Sequence, residues 1–194
     1  MIYLIHDRLR ADRQILYRKE LDEQGIEFWE LIPAVKGESP IRNIAKAHKE
    51  CIRRAIKADL PQAIILEDDV KFVCPGAFNR FLDLSLQLDT NTEWDVFISG
   101  SYEYKTLNQQ EYYRPLSRFS GLHCYMVNKK FYQRFLDLPE IVNIDKEISK
   151  AKANIWMAHP MLALQHDGFS DNVKKVTNYN TTFKKNITIW NCKQ

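Results

Sequence analysis

Three carboxylates in a row, Glu67-Asp68-Asp69, follow the apolar run Ala63-Ile64-Ile65-Leu66 with no spacer between them. A continuous apolar run of that length reads as a strand covered on both faces. Like charges at this spacing raise one another's pKa, and the neighbouring apolar residues weaken their solvation, so the triplet needs a cation. Mg²⁺ or Mn²⁺ suits hard oxygen ligands and keeps positions open for water and substrate phosphates. In open α/β sheets the carboxyl ends of the strands are also where ligands bind. The structural alternative is a solvated acidic turn.

Other side chains carry their own chemistry. Arg8 and Arg13 flank the exit of the first apolar segment, where a guanidinium can hold a diphosphate bidentately or stack on a base; ordinary surface arginines are the alternative. His48 falls within the apolar stripe of a helical pattern, so it is either a core histidine with one structural hydrogen bond or a ligand-facing group. Tyr102, Tyr104, Tyr112 and Tyr113 offer amphipathic rings that pack on sugar faces or cover a sheet. Asp69-Val70-Lys71 fits the D/E-x-K element of metal-dependent nucleases. A structural Ca²⁺ site in a non-catalytic binding domain is a further alternative, although the D-x-D-x-D-G loop is missing.

The elements that must position these groups alternate between strand-like runs and helical patterns, which predicts an α/β domain with a central, mostly parallel sheet flanked by helices. Ile2 to Ile5 reads as the first strand, Arg10 to Gln24 as a helix turning Ala11, Ile15 and Leu21 inward, and Gly25 as its stop. Ile26 to Ile32 follows as a strand, then an amphipathic helix over 41–58. Further strands are expected at Trp94 to Ser99 and His123 to Val127, with a helix from Asn128 to about Leu136. The polar, tyrosine-rich stretch 100–120 reads as one long connection.

A chain of 194 residues has room for one domain, placed at 1–172, with a basic tail over 173–194. Lys and Arg number 28 against 25 Asp and Glu, a surplus too slight for a nucleic-acid partner. The surplus is partly local: Lys174, Lys175, Lys184, Lys185 and Lys193 face no acidic residue, so the tail suits phosphates or an anionic membrane surface, or is simply solvated. Cys51, Cys74, Cys124 and Cys192 form no C-x-x-C pair, and a reducing compartment is expected. The four-residue apolar run at the N-terminus reads as neither a signal peptide nor a membrane span. The expected location is therefore cytoplasmic, with peripheral membrane contact through the tail, and the sequons at Asn180 and Asn186 are expected to mean nothing.

The order of several short motifs resembles glycosyltransferase family 25, the group with the lipooligosaccharide and collagen galactosyltransferases. Ala47-His48 lies about twenty residues ahead of Ile64-Ile65-Leu66-Glu67-Asp68-Asp69-Val70. Around this pair come Asp7-Arg8 with Arg13, Ala34-Val35-Lys36-Gly37, Trp94-Asp95-Val96, Gly121-Leu122-His123-Cys124-Tyr125, and Gln165 with Ser170-Asp171. The sequence departs from the family pattern where Ile5 or His6 replaces an Asn and where Ala47 replaces a Ser. The resemblance implies a GT-A fold and a metal-dependent transfer of a hexose, galactose foremost, from a UDP-sugar to a hydroxyl of a glycan or lipid-linked glycan, with inversion. By the same analogy Asp69 contacts Mn²⁺ or Mg²⁺, Glu67 or Asp68 reaches it through water or touches the donor ribose, and His166 is a third ligand. His48, Arg8 and Arg13 would then belong to the donor site. Asp145 is the implied general base, with Asp171 and Asp95 as rivals and helix capping as its structural alternative.

Overall fold

A computed structural model describes residues 1–37, 39–91, 93–108, 111–170, 174–179, 181 and 188–192. The first half alternates regularly: β1 (Ile2–His6), α1 (Ala11–Glu23), β2 (Trp29–Pro33), α2 (Pro40–Lys57), β3 (Gln62–Glu67) and the short β4 (Val70–Phe72). Gly25, at φ +66, takes the left-handed conformation that ends α1. Ser39 caps α2 by accepting from the Arg42 N–H, and Pro40 occupies its first turn, where no backbone donor is lost.

The chain continues through α3 (Ala77–Asn91), β5 (Val96–Ile98), β6 (Glu103–Thr106), β7 (Tyr113–Ser120) and β8 (Cys124–Asn128). A 3₁₀ turn at Lys129–Phe131 leads into α4 (Tyr132–Leu136) and then α5 (Ile144–Lys150). Four short strands close the described part: β9 (Ile155–Ala158), β10 (Ala163–Gln165), β11 (Gly168–Ser170) and β12 (Lys175–Thr177).

Eight strands form one sheet in the order β2-β1-β3-β8-β5-β9-β7-β6. From the pairings, β2, β1, β3, β5, β9 and β6 run one way, and β8 and β7 run the other. The sheet is thus mixed, and its longest parallel run is the β2-β1-β3 edge that ends in the carboxylates. Successive residues along a strand face opposite sides, and both sides are covered. Tyr3, Ile65 and Tyr125 enter one core with α2, α4 and α5, whereas Leu4, Leu66 and Met126 enter another with α1 and α3.

Several expectations are revised. Stretch 100–120 is a β6–β7 hairpin with a register shift at Lys105/Thr106 rather than a single loop. Helix α3 was not anticipated, although Phe78, Phe81, Leu84 and Leu88 give it a buried face. Helix α1 buries Tyr17, Glu20 and Leu21, while Ile15 is exposed.

Cys74 and Cys192 form a disulfide across 118 residues, so only Cys51 and Cys124 are free, contrary to the expectation of four reduced thiols. The described part of the basic tail is also tied back, through β12 on β11 and a bridge between Met161 and Ile189. Asn180, Asn186, Asp171, Lys184, Lys185 and Lys193 lie outside the described residues. Among the described residues no helix is long and apolar enough to cross a membrane.

Candidate active site

A cavity of about 560 Å³ opens at the carboxyl ends of β1, β2 and β3, within the roughly 300–1,000 Å³ of ordinary ligand pockets. Each strand end contributes a functional group: Asp7 after β1, Lys36 after β2, and Glu67, Asp68 and Asp69 at the end of β3. Tyr102, Gly121, Asp145, Gln165, Lys174 and Tyr179 line the rest of the cavity. Parallel strand ends joined by helices leave a crevice at this place, because the connections diverge there.

Each carboxylate of the triplet is held by partners from a different element. Arg13 Nη1, one turn into α1, donates to Asp68 Oδ1 at 2.6 Å and to Asp69 Oδ2 at 2.9 Å. The second Asp68 oxygen meets His6 Nδ1 at 2.8 Å and accepts from the Asp7 N–H at 3.4 Å. Gln165 Nε2 donates to Asp69 Oδ1 at 3.4 Å. His48 Nε2 lies 3.0 Å from Glu67 Oε1, and its Nδ1 lies 2.7 Å from the Tyr125 hydroxyl.

Electrostatics follows from this crowding. Burial pushes the Asp69 pKa up, Arg13 opposes the shift, and Glu67 and Asp68 add to it, so the net direction is upward. Burial by itself lowers the Arg13 pKa, but Asp69 and Asp68 outweigh it and hold the guanidinium above its ordinary value. Elsewhere in the cavity, burial raises the Asp145 pKa, the Gly121 and Lys146 N–H groups lower it, and Glu67 raises it again, leaving it above the usual carboxylate range. Tyr102 is raised by burial and then by Asp145. Asp145 and Glu67 therefore sense each other across one space.

The triplet's fit to a divalent ion can be tested on its donors. Five of its six carboxylate oxygens already accept or contact a named partner, leaving Glu67 Oε2 without one among the described residues. The Arg13 guanidinium bridges Asp68 and Asp69, where an ion would sit. A dication there would have to expel that guanidinium, because the two positive charges compete for the same pair of carboxylate oxygens. Among the described residues no group of three or more His, Cys, Asp or Glu is arranged to hold a metal. As the side chains stand, the set does not fit the ion.

The sequence candidates separate accordingly. Arg13, His48, Glu67, Asp68, Asp69 and Asp145 line the cavity together. Arg8 is exposed and does not line it; Arg10, held by Asp12 and the Phe169 carbonyl, stands there instead. His166 is turned away from the triplet, its Nε2 2.9 Å from Glu20 Oε1 on α1. Side chains alternate along an extended segment, so with Gln165 facing Asp69 the next residue faces the other side.

Asp95 is buried elsewhere and accepts from the Asn154 N–H at 2.9 Å, a structural bond. Lys71 does not line the cavity. Of the four tyrosines only Tyr102 reaches the cavity, where its ring packs 5.7 Å from that of Tyr179. Tyr113 stacks edge-on against Trp156, and Tyr112 lies under Arg80.

Residues that sequence reasoning did not assign to the site include Arg10, Asn43, Tyr179 and His6. Gln165 belongs to a motif with no role given to it, yet its Oε1 is buried and without a hydrogen-bond partner among the described residues. A ligand hydroxyl or amide would satisfy that oxygen, since an orphaned buried acceptor costs about 1–3 kcal/mol.

Gly121 couples the hairpin to the cavity wall. Its φ is +103, its N–H donates to Asp145 Oδ2 at 3.0 Å, and an added Cβ would lie 2.9 Å from Tyr102 Cε1. Gly121→Ala is expected to cost roughly 1–3 kcal/mol in a denaturant titration, the range for a strained non-glycine residue, and to push Tyr102 out of the wall. Unchanged unfolding free energy and unchanged ligand binding would both contradict that account.

The mixed α/β sheet, its flanking helices and the cavity at the parallel strand ends make up a fold that recurs in solved structures. Two solved structures share it. A197 from STIV aligns over 100% of this chain and 97% of its own, with 12% identity and a TM-score of 0.54. An apo UDP-glucose pyrophosphorylase aligns over 84% of this chain and 75% of its own, with 7% identity and a TM-score of 0.50. No protein-family model matches the chain, and no curated protein matches it.

Proposed function

We propose that the cavity binds a nucleotide sugar and that the protein is a glycosyltransferase moving the sugar to an acceptor hydroxyl. One observation carries the reading: a single cavity is lined both by cationic side chains, Arg10, Lys36 and Lys174, and by a buried carboxylate, Asp145. The cations suit a diphosphate. The carboxylate suits a base held near the reacting sugar.

In this scheme Asp145 accepts the proton of the acceptor hydroxyl as that oxygen bonds to the anomeric carbon. The bond from the anomeric carbon to the diphosphate breaks on the opposite face, which inverts the centre. Charge developing on the departing nucleoside diphosphate is met by the Arg10 and Lys36 side chains. Gln165 Oε1 and Tyr102 offer an acceptor atom and a ring face for the sugar. The finer terms, a UDP-hexose with galactose foremost and a glycan or lipooligosaccharide-like acceptor, are supported by the motif order that resembles family 25.

A nucleotidyltransferase reading draws on the fold shared with a pyrophosphorylase. A thermal-shift panel of nucleotide sugars, run with Mn²⁺ and with EDTA, tests binding, and product analysis separates the reactions. A UDP-sugar that raises Tm and releases UDP in the presence of acceptor is the expected result. Release of pyrophosphate from UTP and a sugar phosphate favours the second reading, and no stabilisation by any nucleotide sugar overturns both.

A further inference from the structure

The triplet needs a positive charge, and the chain provides one from inside the fold. We infer that Arg13 takes the place of the divalent ion, so that the cavity binds its nucleoside diphosphate ligand without a metal. The nature of the ligand rests on the proposed function; the exclusion of the ion rests on the side chains alone.

Three observations meet around one side chain. Arg13 Nη1 lies within 2.6 Å and 2.9 Å of oxygens from two different carboxylates, a bridging position of the kind a metal takes. The guanidinium is fixed from a third direction, since Nη2 donates to the Phe169 carbonyl at 3.2 Å. The outer oxygens of the same carboxylates are occupied as well, Asp68 by His6 and Asp69 by Gln165. An ion entering here must displace a permanent cation and at least two further hydrogen bonds, and Mg²⁺ in particular demands near-octahedral oxygen geometry. Arginine does not lose its proton in proteins, so no change of pH vacates the place.

The arrangement also explains how three carboxylates persist beside buried strand residues. With one guanidinium shared between Asp68 and Asp69, and His48 on Glu67, each acid has a hydrogen-bond donor of its own or a shared one. Among the described residues the other cations lining the cavity are Lys36, which pairs with Asp7 at 2.7 Å on the exposed rim, Lys174, and Arg10, which is itself paired with Asp12. Exposed ion pairs exchange partners at little cost, so Lys36 is free to turn to an incoming anion.

Two measurements decide the matter. Mn²⁺ binding is followed by the loss of the free-ion EPR signal, and nucleotide binding by titration calorimetry with UDP in EDTA and in Mn²⁺. Wild-type protein is expected to leave the Mn²⁺ signal unchanged and to bind UDP with the same affinity in both buffers, within about twofold. Arg13→Ala and Arg13→Gln uncover Asp68 and Asp69 and are expected to bind Mn²⁺, with Tm rising by roughly 5 °C or more in about 1 mM ion.

Mn²⁺ binding by wild type that is lost in Asp69→Asn overturns the inference, whether it occurs with UDP or without. So does failure of both folded Arg13 variants to bind the ion. Absence of UDP binding in every buffer strikes the proposed function instead, and the Mn²⁺ titration of wild type still decides the role of Arg13.

Discussion

Asp145→Asn is expected to reduce transfer by about 10²–10⁴-fold, the contribution of a positioned general base, while UDP binding stays within about twofold of wild type. The substitution keeps the volume of the side chain and removes its ability to take a proton. Asp145 now accepts from two backbone N–H groups, Gly121 at 3.0 Å and Lys146 at 2.7 Å. Asparagine can accept at only one of the two positions, so a loss of about 1–2 kcal/mol in stability accompanies the effect and must be measured beside it. Burial, the largest influence on this carboxyl, raises its pKa, and Glu67 adds to the rise. A base works only when deprotonated, so the acidic limb of the wild-type rate profile is expected above the ordinary carboxylate range and is absent from the variant. Activity within tenfold of wild type, or an acidic limb that survives the substitution, would assign the proton to another group.

The sequence and the structure agree where local pattern alone decides the outcome. β1 and β3 are built on the apolar runs Ile2–Ile5 and Ala63–Leu66, α2 repeats its apolar residues at three- and four-residue steps, and the triplet begins on the last residue of β3, so all three could be read from spacing. The β6–β7 hairpin was hidden because β6 lies at the sheet edge and its residues alternate only between exposed and half-buried. Helix α3 did carry a signal, the spacing of Phe78, Phe81, Leu84 and Leu88, which went unread. Arg10 rather than Arg8 at the cavity is a matter of turn geometry between β1 and α1, which composition does not report. The disulfide of Cys74 with Cys192 and the placement of Lys174 and Tyr179 depend on the tail folding back, a long-range event with no local code. Gln165 and His166 show the finest limit: one step of strand parity decides which side chain faces Asp69 and which faces Glu20.

Removal of the Arg13 charge is expected to be the most costly single change to stability near the site, and its cost depends on pH. Breaking a buried ion pair by deleting one partner typically costs about 3–5 kcal/mol, because the remaining charge is left without compensation. Asp68, Asp69 and Arg13 have side chains at 8%, 10% and 15% exposure, so solvent screens the pair weakly. For a domain of this size, Arg13→Ala should lower Tm by roughly 6–20 °C at about pH 8. The direction with pH follows from the partners. Arg13 opposes the upward shift that burial imposes on Asp69, so its deletion lets the Asp69 pKa rise further. Stability that Arg13 confers by holding Asp69 ionised is present where that carboxyl is charged and is lost as pH falls and it takes up its proton in either protein. The Tm gap between wild type and variant should therefore narrow by about half or more between about pH 8 and pH 5, read by calorimetry in matched salt. A gap that is constant across that interval would mean that Arg13 contributes packing along its methylene stem rather than charge, and the triplet would then have to find its cation elsewhere.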